Sequence, residues 1–384
     1  MRVLIIHTTY RFKGGEDSVV FNEIKLLKSE GLQVELLQFS NEGGTLFKVL
    51  QLPFNYSAFK KTKQKIRSFN PDVIHIHNLH FAGSASVIYA IKKLKIPFVV
   101  TLHNYRLLCP SATLFANGRL FTDSIHQSFP LKAIFKGVYL NSRLLTFWVS
   151  LSMFVHQVKG TWNLPDKFIA LGEHGKQLYL NSKLKLNPDQ IVVKPNFCYS
   201  LTSSEESKEG NYYLYVGRLS DEKGLNVLLK AFAKNKLPLK IVGTGPLEHE
   251  VKGYSNKYFN INYLGSLNKE NVYTLLKNAS ALIFPSLWYE TFGMVVIEAF
   301  STGTPVIASD LGDLKSLITN GYNGLHFNPG DESDLIEKIS FFQNSSEQSK
   351  RDYRKNARNT YEEKFTPEKN AQELLSIYNS VSGN

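Results

Sequence analysis

Short runs of β-branched and apolar residues alternate with stretches of helical period from one end of the chain to the other. Residues 3–7 predict a buried strand, and residues 17–30 a helix closed by Gly31, which tolerates the left-handed backbone of a helix end. Further strands are expected at 33–39, 72–77, 98–103, 168–171 and 191–194, with helices around 59–69 and 84–94. This alternation is what a parallel sheet with crossover helices requires. Residues 104–165 are irregular at first and then apolar and aromatic, which suits one or two helices bordering a ligand cleft. The stretch 198–211 is small and polar and reads as a linker, after which the rhythm restarts. Strands are expected at 212–216, 239–242, 261–264, 281–284 and 305–308, and helices at 224–234, 346–364 and 367–381. The pattern therefore predicts an α/β chain of two doubly wound domains, 1–197 and 212–365, followed by a terminal helix in 366–384. Leu374, Leu375 and Tyr378 give that helix an apolar stripe that fits either domain.

Composition narrows the class. A chain of 384 residues with 43% apolar side chains can bury two cores. Its longest apolar run, 144–155, is broken by Ser150 and Ser152 and falls short of the roughly 20 residues that cross a bilayer. The apolar stretch at 3–6 is too short for a secretory signal, so a cytoplasmic chain is expected. Cys109 and Cys198 stand far apart without CxxC spacing, which suits buried small hydrophobes better than a zinc knuckle or a disulfide framework.

Charge adds a second clue. Of the +12 net charge, residues 1–196 carry 25 Lys+Arg against 11 Asp+Glu, whereas 197–384 carry 20 against 22. Lys60, Lys61, Lys63, Lys65 and Arg67 lie between Phe59 and Phe69, a pattern that suits an amphipathic helix on a membrane face. Neither zinc-finger spacing nor an aromatic RNP pattern accompanies them, so an anionic membrane or lipid substrate is expected rather than nucleic acid. The bland alternative is a basic surface that only aids solubility.

The residues that could carry chemistry follow strands, where open α/β sheets bind ligands. Gly14 and Gly15 follow the first strand; they could admit a phosphate or only make a turn, and GxGxxG is absent. Arg218 and Lys223 lie between Gly217 and Gly224, and the two cations can converge on a diphosphate. Thr291 is expected to cap a helix beginning near Phe292, aiming the N–H groups of Phe292, Gly293 and Met294 at an anion. Glu290 and Glu298 flank that helix start; beside an anion they make sense as acceptors from neutral hydroxyls such as those of a sugar.

Glu290 and Glu298, with seven residues between them, resemble the E-x7-E motif of the retaining glycosyltransferases of family 4, and the surrounding Phe-Gly-Met-Val-Val-Ile-Glu-Ala is similar too. The resemblance runs from the Gly-Gly loop through residues 72–77 and 217–224 to the terminal helices. It implies the GT-B fold: two facing Rossmann-like domains with a cleft between them, and a nucleotide diphosphate sugar held mainly by the second. Arg218 and Lys223 would then hold the diphosphate, helped by amides around Gly293 to Val295 and by Gly15. Glu298 would accept from ribose hydroxyls and Glu290 from the transferred sugar. His103 matches the family histidine near the reacting carbon, although Asn104 stands where the family often has Asp. The stretch from His103 to Pro110 resembles a subgroup of surface-polysaccharide assembly, which makes Gly14, Asn104, Tyr105 and Arg106 acceptor-side candidates. His7, His75, His77 and His80 read as structural.

The resemblance implies transfer with retention to a lipid-linked or polysaccharide acceptor, with no metal and no cofactor beyond the nucleotide sugar itself. Two rivals keep the donor pocket: a non-catalytic nucleotide-sugar sensor or partner subunit, and a GT-B sugar-nucleotide epimerase.

Overall fold

A computed structural model of the chain describes residues 1–9, 15–41, 49–200 and 210–383. These divide into two compact units: Met1–Leu114 with Phe121–Asn196 and Pro367–Asn384, and Phe115–Leu120 with Phe197–Thr366.

The first unit is built on β1 (Arg2–Thr9), β2 (Gln33–Ser40), β3 (Val73–Ile76), β4 (Phe98–Thr101), β7 (Lys167–Ala170) and β8 (Ile191–Val193), all parallel in the order β2-β1-β3-β4-β7-β8. The short hairpin β5 (Phe115–Ala116) and β6 (Arg119–Leu120) stands apart from that sheet. Strand β1 shows why a continuous apolar run was the right signal. Val3 and Ile5 pack with Val20, Leu27 and Leu374, while Leu4 and Ile6 pack with Ile66, Val87 and Ile91. Successive side chains point to opposite faces, and both faces are covered by helices, so no polar alternation survives. Leu374 and Tyr378 place the terminal helix Pro367–Ser382 in this core, both fully buried.

The basic helix Tyr56–Phe69 corrects one expectation. Ala58, Thr62, Ile66 and Phe69 are buried, so its apolar face packs on the sheet and is not available to a membrane. The polar face carries Lys60, Lys61 and Arg67 exposed, while Lys65 pairs with Glu35 and Lys63 lies over the Phe59 ring. Asn55 caps this helix by accepting from the Ala58 N–H, and Asn70 ends it in the left-handed conformation.

The second unit has β9 (Tyr213–Val216), β10 (Leu239–Val242), β11 (Ile261–Tyr263), β12 (Ala281–Phe284), β13 (Val306–Ser309) and β14 (Gly324–Phe327), in the parallel order β11-β10-β9-β12-β13-β14. Strand order reverses direction at β9 and β12, and it is outside the carboxyl ends of such a pair that doubly wound sheets bind ligands. No helix among the described residues is long and apolar enough to cross a membrane. Cys109 and Cys198 are free and buried.

Candidate active site

The chain leaves β9 through Gly217 and Arg218, makes one 3-10 turn at Asp221–Lys223 and enters the helix Leu225–Asn235 at Gly224. Gly224 has φ +71°, and a Cβ there would meet the Pro285 carbonyl oxygen at 1.8 Å. Glycine is therefore required for the β9 loop to lie against the end of β12. Tyr215 Oη donates to the Arg218 carbonyl at 2.8 Å, and the Leu287 N–H donates to the Glu222 carbonyl at 2.8 Å, which fixes the loops that follow β9 and β12.

That approach brings Lys223 and Glu290 together. Lys223 Nζ donates to Glu290 Oε1 at 2.7 Å and sits 5.1 Å from the Trp288 ring centroid. Glu290 is 5% exposed, and Ser286 Oγ also donates to its Oε1. Arg218 is exposed at the same loop. The two cations thus differ: Lys223 is seated on a buried carboxylate, while Arg218 reaches toward solvent.

The helix after β12 runs Met294–Ser301, with Gly293 as its N-cap and no side-chain cap. Thr291 is not the cap, and the helix starts two residues later than expected, after Gly293, where a Cβ would meet Val296 Cγ2 at 2.9 Å. The first-turn donors are accordingly the N–H groups of Met294 and Val295, with Phe292 buried outside the helix. Glu298 lies one turn in, where burial pushes its carboxyl up to about 6 against the opposing pull of Lys269, whose Nζ is 4.0 Å away.

The first unit holds a second cluster at the carboxyl ends of β3 and β4. His103 Nε2 and His77 Nδ1 are 2.8 Å apart. Glu23 Oε1 lies 3.0 Å from both His77 Nε2 and His75 Nδ1, as short charge contacts whose angles are too bent for ideal hydrogen bonds. His75 Nδ1 also meets Tyr378 Oη at 2.7 Å, and its Nε2 meets Thr101 Oγ1 at 2.7 Å. Lys194 Nζ stands 3.8 Å from Glu23 Oε2 and donates to Asn370 Oδ1 at 3.0 Å. Burial works to raise the Glu23 carboxyl, but the two histidines outweigh it and hold it well below its ordinary value. Burial drives His77 down to about 4 and His103 well below the usual imidazole value, so both rings are neutral at pH 7.

Glu23, His75 and His77 bring ligand atoms within 4.8 Å of one another, the spacing of a possible cation site. The donors do not fit that use: both His75 nitrogens and His77 Nδ1 already have partners, and Lys194 supplies the positive charge beside Glu23. The cluster is a hydrogen-bonded network. Sequence reading treated His75 and His77 as structural and missed Glu23 altogether. Its signal was there: Glu23 occupies a core-facing position of the helix Gly15–Ser29, in step with Val19, Val20, Leu26 and Leu27.

Of the acceptor-side candidates, Asn104 and Arg106 line a largely apolar cavity of about 120 Å³ with His77, His80, His103 and Met153. Asn104 Oδ1 accepts from the Arg106 N–H at 3.0 Å, and the Arg106 guanidinium lies 5.2 Å from the Tyr139 ring centroid. Tyr105 does not belong with them: it is 1% exposed and stacks on Tyr179, which makes it a core side chain. Gly14 lies outside the described residues. Gly15 opens its helix with nothing within 4 Å of an added Cβ, so the packing of this unit does not require glycine there.

Comparison with known proteins follows the same division of the chain. The family profile described as "Glycosyltransferase Family 4" matches residues 13–198, and that described as "Glycosyl transferases group 1" matches residues 201–360. The O-antigen chain mannosyltransferase C of Escherichia coli is 33% identical over 412 aligned residues, covering 99% of both chains. Among solved structures, a glycosyltransferase from Rickettsia africae superposes with a TM-score of 0.70 at 20% identity, covering 100% of this chain and 99% of that one. Anabaena Alr3699/HepE, solved in complex with UDP, gives 0.69 at 17%, covering 99% of this chain and 100% of that one. With two Rossmann-like units of GT-B type and a full-length relative at this identity, the chain belongs to the glycosyltransferases whose first half is of family 4 and whose second half is of group 1.

Proposed function

We propose that this glycosyltransferase moves a sugar, with retention, from a nucleoside diphosphate sugar to a lipid-linked or polysaccharide acceptor in surface-glycan assembly. The observation that carries the donor half is the Lys223–Glu290 pair, a cation and a hydroxyl-accepting carboxylate in contact beside an uncapped helix start. A diphosphate needs the first and a sugar needs the second. The UDP bound by the Anabaena structure supports a nucleotide donor, and the name of the Escherichia coli relative supports an O-antigen type of acceptor.

In this reading Arg218, Lys223 and the Met294 and Val295 amides stabilise the negative charge that grows on the leaving diphosphate. Glu298 accepts from the ribose and Glu290 from the transferred sugar. The bond from the anomeric carbon to the phosphate oxygen breaks, and a bond to the acceptor oxygen forms on the same face. The acceptor's proton passes to the departing phosphate. His103, Asn104 and Arg106 serve the acceptor side, and the chain works at the cytoplasmic face of a membrane without a metal ion.

The test is a thermal-shift screen of nucleoside diphosphate sugars, beginning with mannosyl donors, followed by mass spectrometry of products formed with membrane lipid extract. Stabilisation by a donor together with a product one hexose heavier than an extracted lipid is expected. Donor binding with no transfer under any acceptor would favour a sensor, and conversion of the donor without an acceptor would favour an epimerase.

A further inference from the structure

The heavy-atom distances in the cluster of the first unit favour one arrangement of protons. A carboxylate offers only acceptor atoms. With Glu23 Oε1 3.0 Å from His77 Nε2, an unprotonated Nε2 would place its partial negative charge beside a buried carboxylate. His77 Nε2 therefore carries the proton, and in a neutral ring its Nδ1 carries none. That Nδ1 is 2.8 Å from His103 Nε2, so the proton between them belongs to His103. The ring of His103 is left with its lone pair on Nδ1.

We propose that Glu23, acting through His77, is the positioning group that sets the tautomer and ring orientation of His103. The inference rests on the reading of His103 as a residue of the transfer site. The same carboxylate is flanked from behind: His75 Nδ1 lies 3.0 Å from it, and that ring is itself hydrogen-bonded to Thr101 and to Tyr378 of the terminal helix. Lys194, anchored on Asn370 of that helix, keeps the positive charge beside Glu23 Oε2. The terminal helix thus completes the network through Asn370 and Tyr378, both buried. Nothing in ordinary packing requires a carboxylate, an ammonium group and two imidazoles inside a helix–sheet interface, where apolar side chains would be cheaper to bury. Their link to His103 runs through His77, whose Nδ1 is 2.8 Å from His103 Nε2.

The experiment uses full-length protein with 15N-labelled histidine and long-range proton–nitrogen correlation spectra at neutral pH. The wild type should show His77 and His103 both protonated at Nε2. In Glu23→Gln the carboxamide can donate as well as accept, so the His103 signal should shift to the Nδ1-protonated form or to a mixture. Turnover should fall about 10–100-fold, as when a partner that orients a functional imidazole is lost, with KM and nucleoside diphosphate affinity unchanged. If Glu23→Gln does not fold, His77→Phe removes the same acceptor from His103 and should change the His103 signal likewise. A wild-type His103 protonated at Nδ1, or a His103 tautomer that ignores both substitutions, overturns the proposal. A changed tautomer with unchanged turnover overturns the positioning role and removes His103 from the transfer site, while leaving the donor assignment to stand or fall on its own binding data.

Discussion

Two carboxylates of the second unit behave differently because their surroundings differ. Glu290 is neutralised by Lys223 at 2.7 Å, so Glu290→Gln should leave affinity for a free nucleoside diphosphate unchanged or slightly tighter. Transfer should still drop under the proposed role, in which Glu290 accepts from the transferred sugar. Lys223→Ala should cost about 1.5–3 kcal/mol of diphosphate binding, roughly 10- to 150-fold, measured by calorimetry. Equal loss of diphosphate affinity in both variants would contradict the division of roles. Glu298 carries a pH signature: its carboxyl is raised to about 6 by burial, so the folded state binds a proton more tightly than the unfolded chain. That contribution to stability is fully present below the unfolded carboxyl's value and is lost as pH rises through about 6. Glu298→Gln should therefore stabilise the protein by about 1–2 kcal/mol at pH 8 and by little at pH 4, read from denaturant unfolding at each pH. Arg218, Lys223 and Glu290 stand out in the sequence because each sits in a short segment with glycine or proline punctuation, and the fold brings Lys223 onto Glu290 while leaving Arg218 exposed. Glu23 does not, because its partners come from β3, the residue just after it and the segment after β8, which only the folded sheet brings to one place.

At the scale of elements, the strands were the most legible part, since runs such as residues 3–6 and 281–284 are apolar on both faces and leave no other structure that fits. The start of the helix Met294–Ser301 differs from the expected one: Thr291 is a good capping residue in isolation, but Gly293 holds the N-cap position without a side-chain cap. The terminal helix Pro367–Ser382 shows how periodicity alone can leave placement open: its stripe fits any apolar groove, and the Tyr378–His75 hydrogen bond is the specific contact that a hydropathy pattern does not record. Leu374 is fully buried, so Leu374→Ala should destabilise the first unit by about 2–5 kcal/mol in equilibrium unfolding. A loss under 1 kcal/mol would mean that this helix is not part of the core. The basic helix Tyr56–Phe69 spends its apolar face on the fold and leaves its cationic face for electrostatic contact with an anionic surface. Exposed Leu50, Phe54, Tyr56 and Leu144 offer an apolar complement, and Trp148 Nε1 donates to the Val49 carbonyl at 2.7 Å to join two of the segments that bear them. Changing Lys60, Lys61, Lys63, Lys65 and Arg67 to Gln should reduce sedimentation with anionic vesicles, at about 1 kcal/mol per residue near the surface, and raised salt should do the same. Wild-type protein that ignores such vesicles at low salt would point to a soluble acceptor.

Across the whole molecule, the chemistry divides as the charge does. The near-neutral half carries the paired cation and carboxylate that we propose for the nucleotide sugar, and the basic half carries the imidazole network and the apolar cavity that we propose for the acceptor. Both sheets follow from the same alternation of strand and helix, yet the two sites were read unequally because one is made of loop residues close in sequence and the other of residues scattered through the core. The central claim is that these two halves together perform retaining transfer from a nucleoside diphosphate sugar. The most direct measurement is the proton NMR spectrum of the glycosidic product formed from a donor of known anomeric configuration, compared between wild type and Lys223→Ala. The account predicts a product with the anomeric coupling of the donor, formed by the wild type and strongly reduced in the variant. An inverted coupling, or equal product from both proteins, would contradict it.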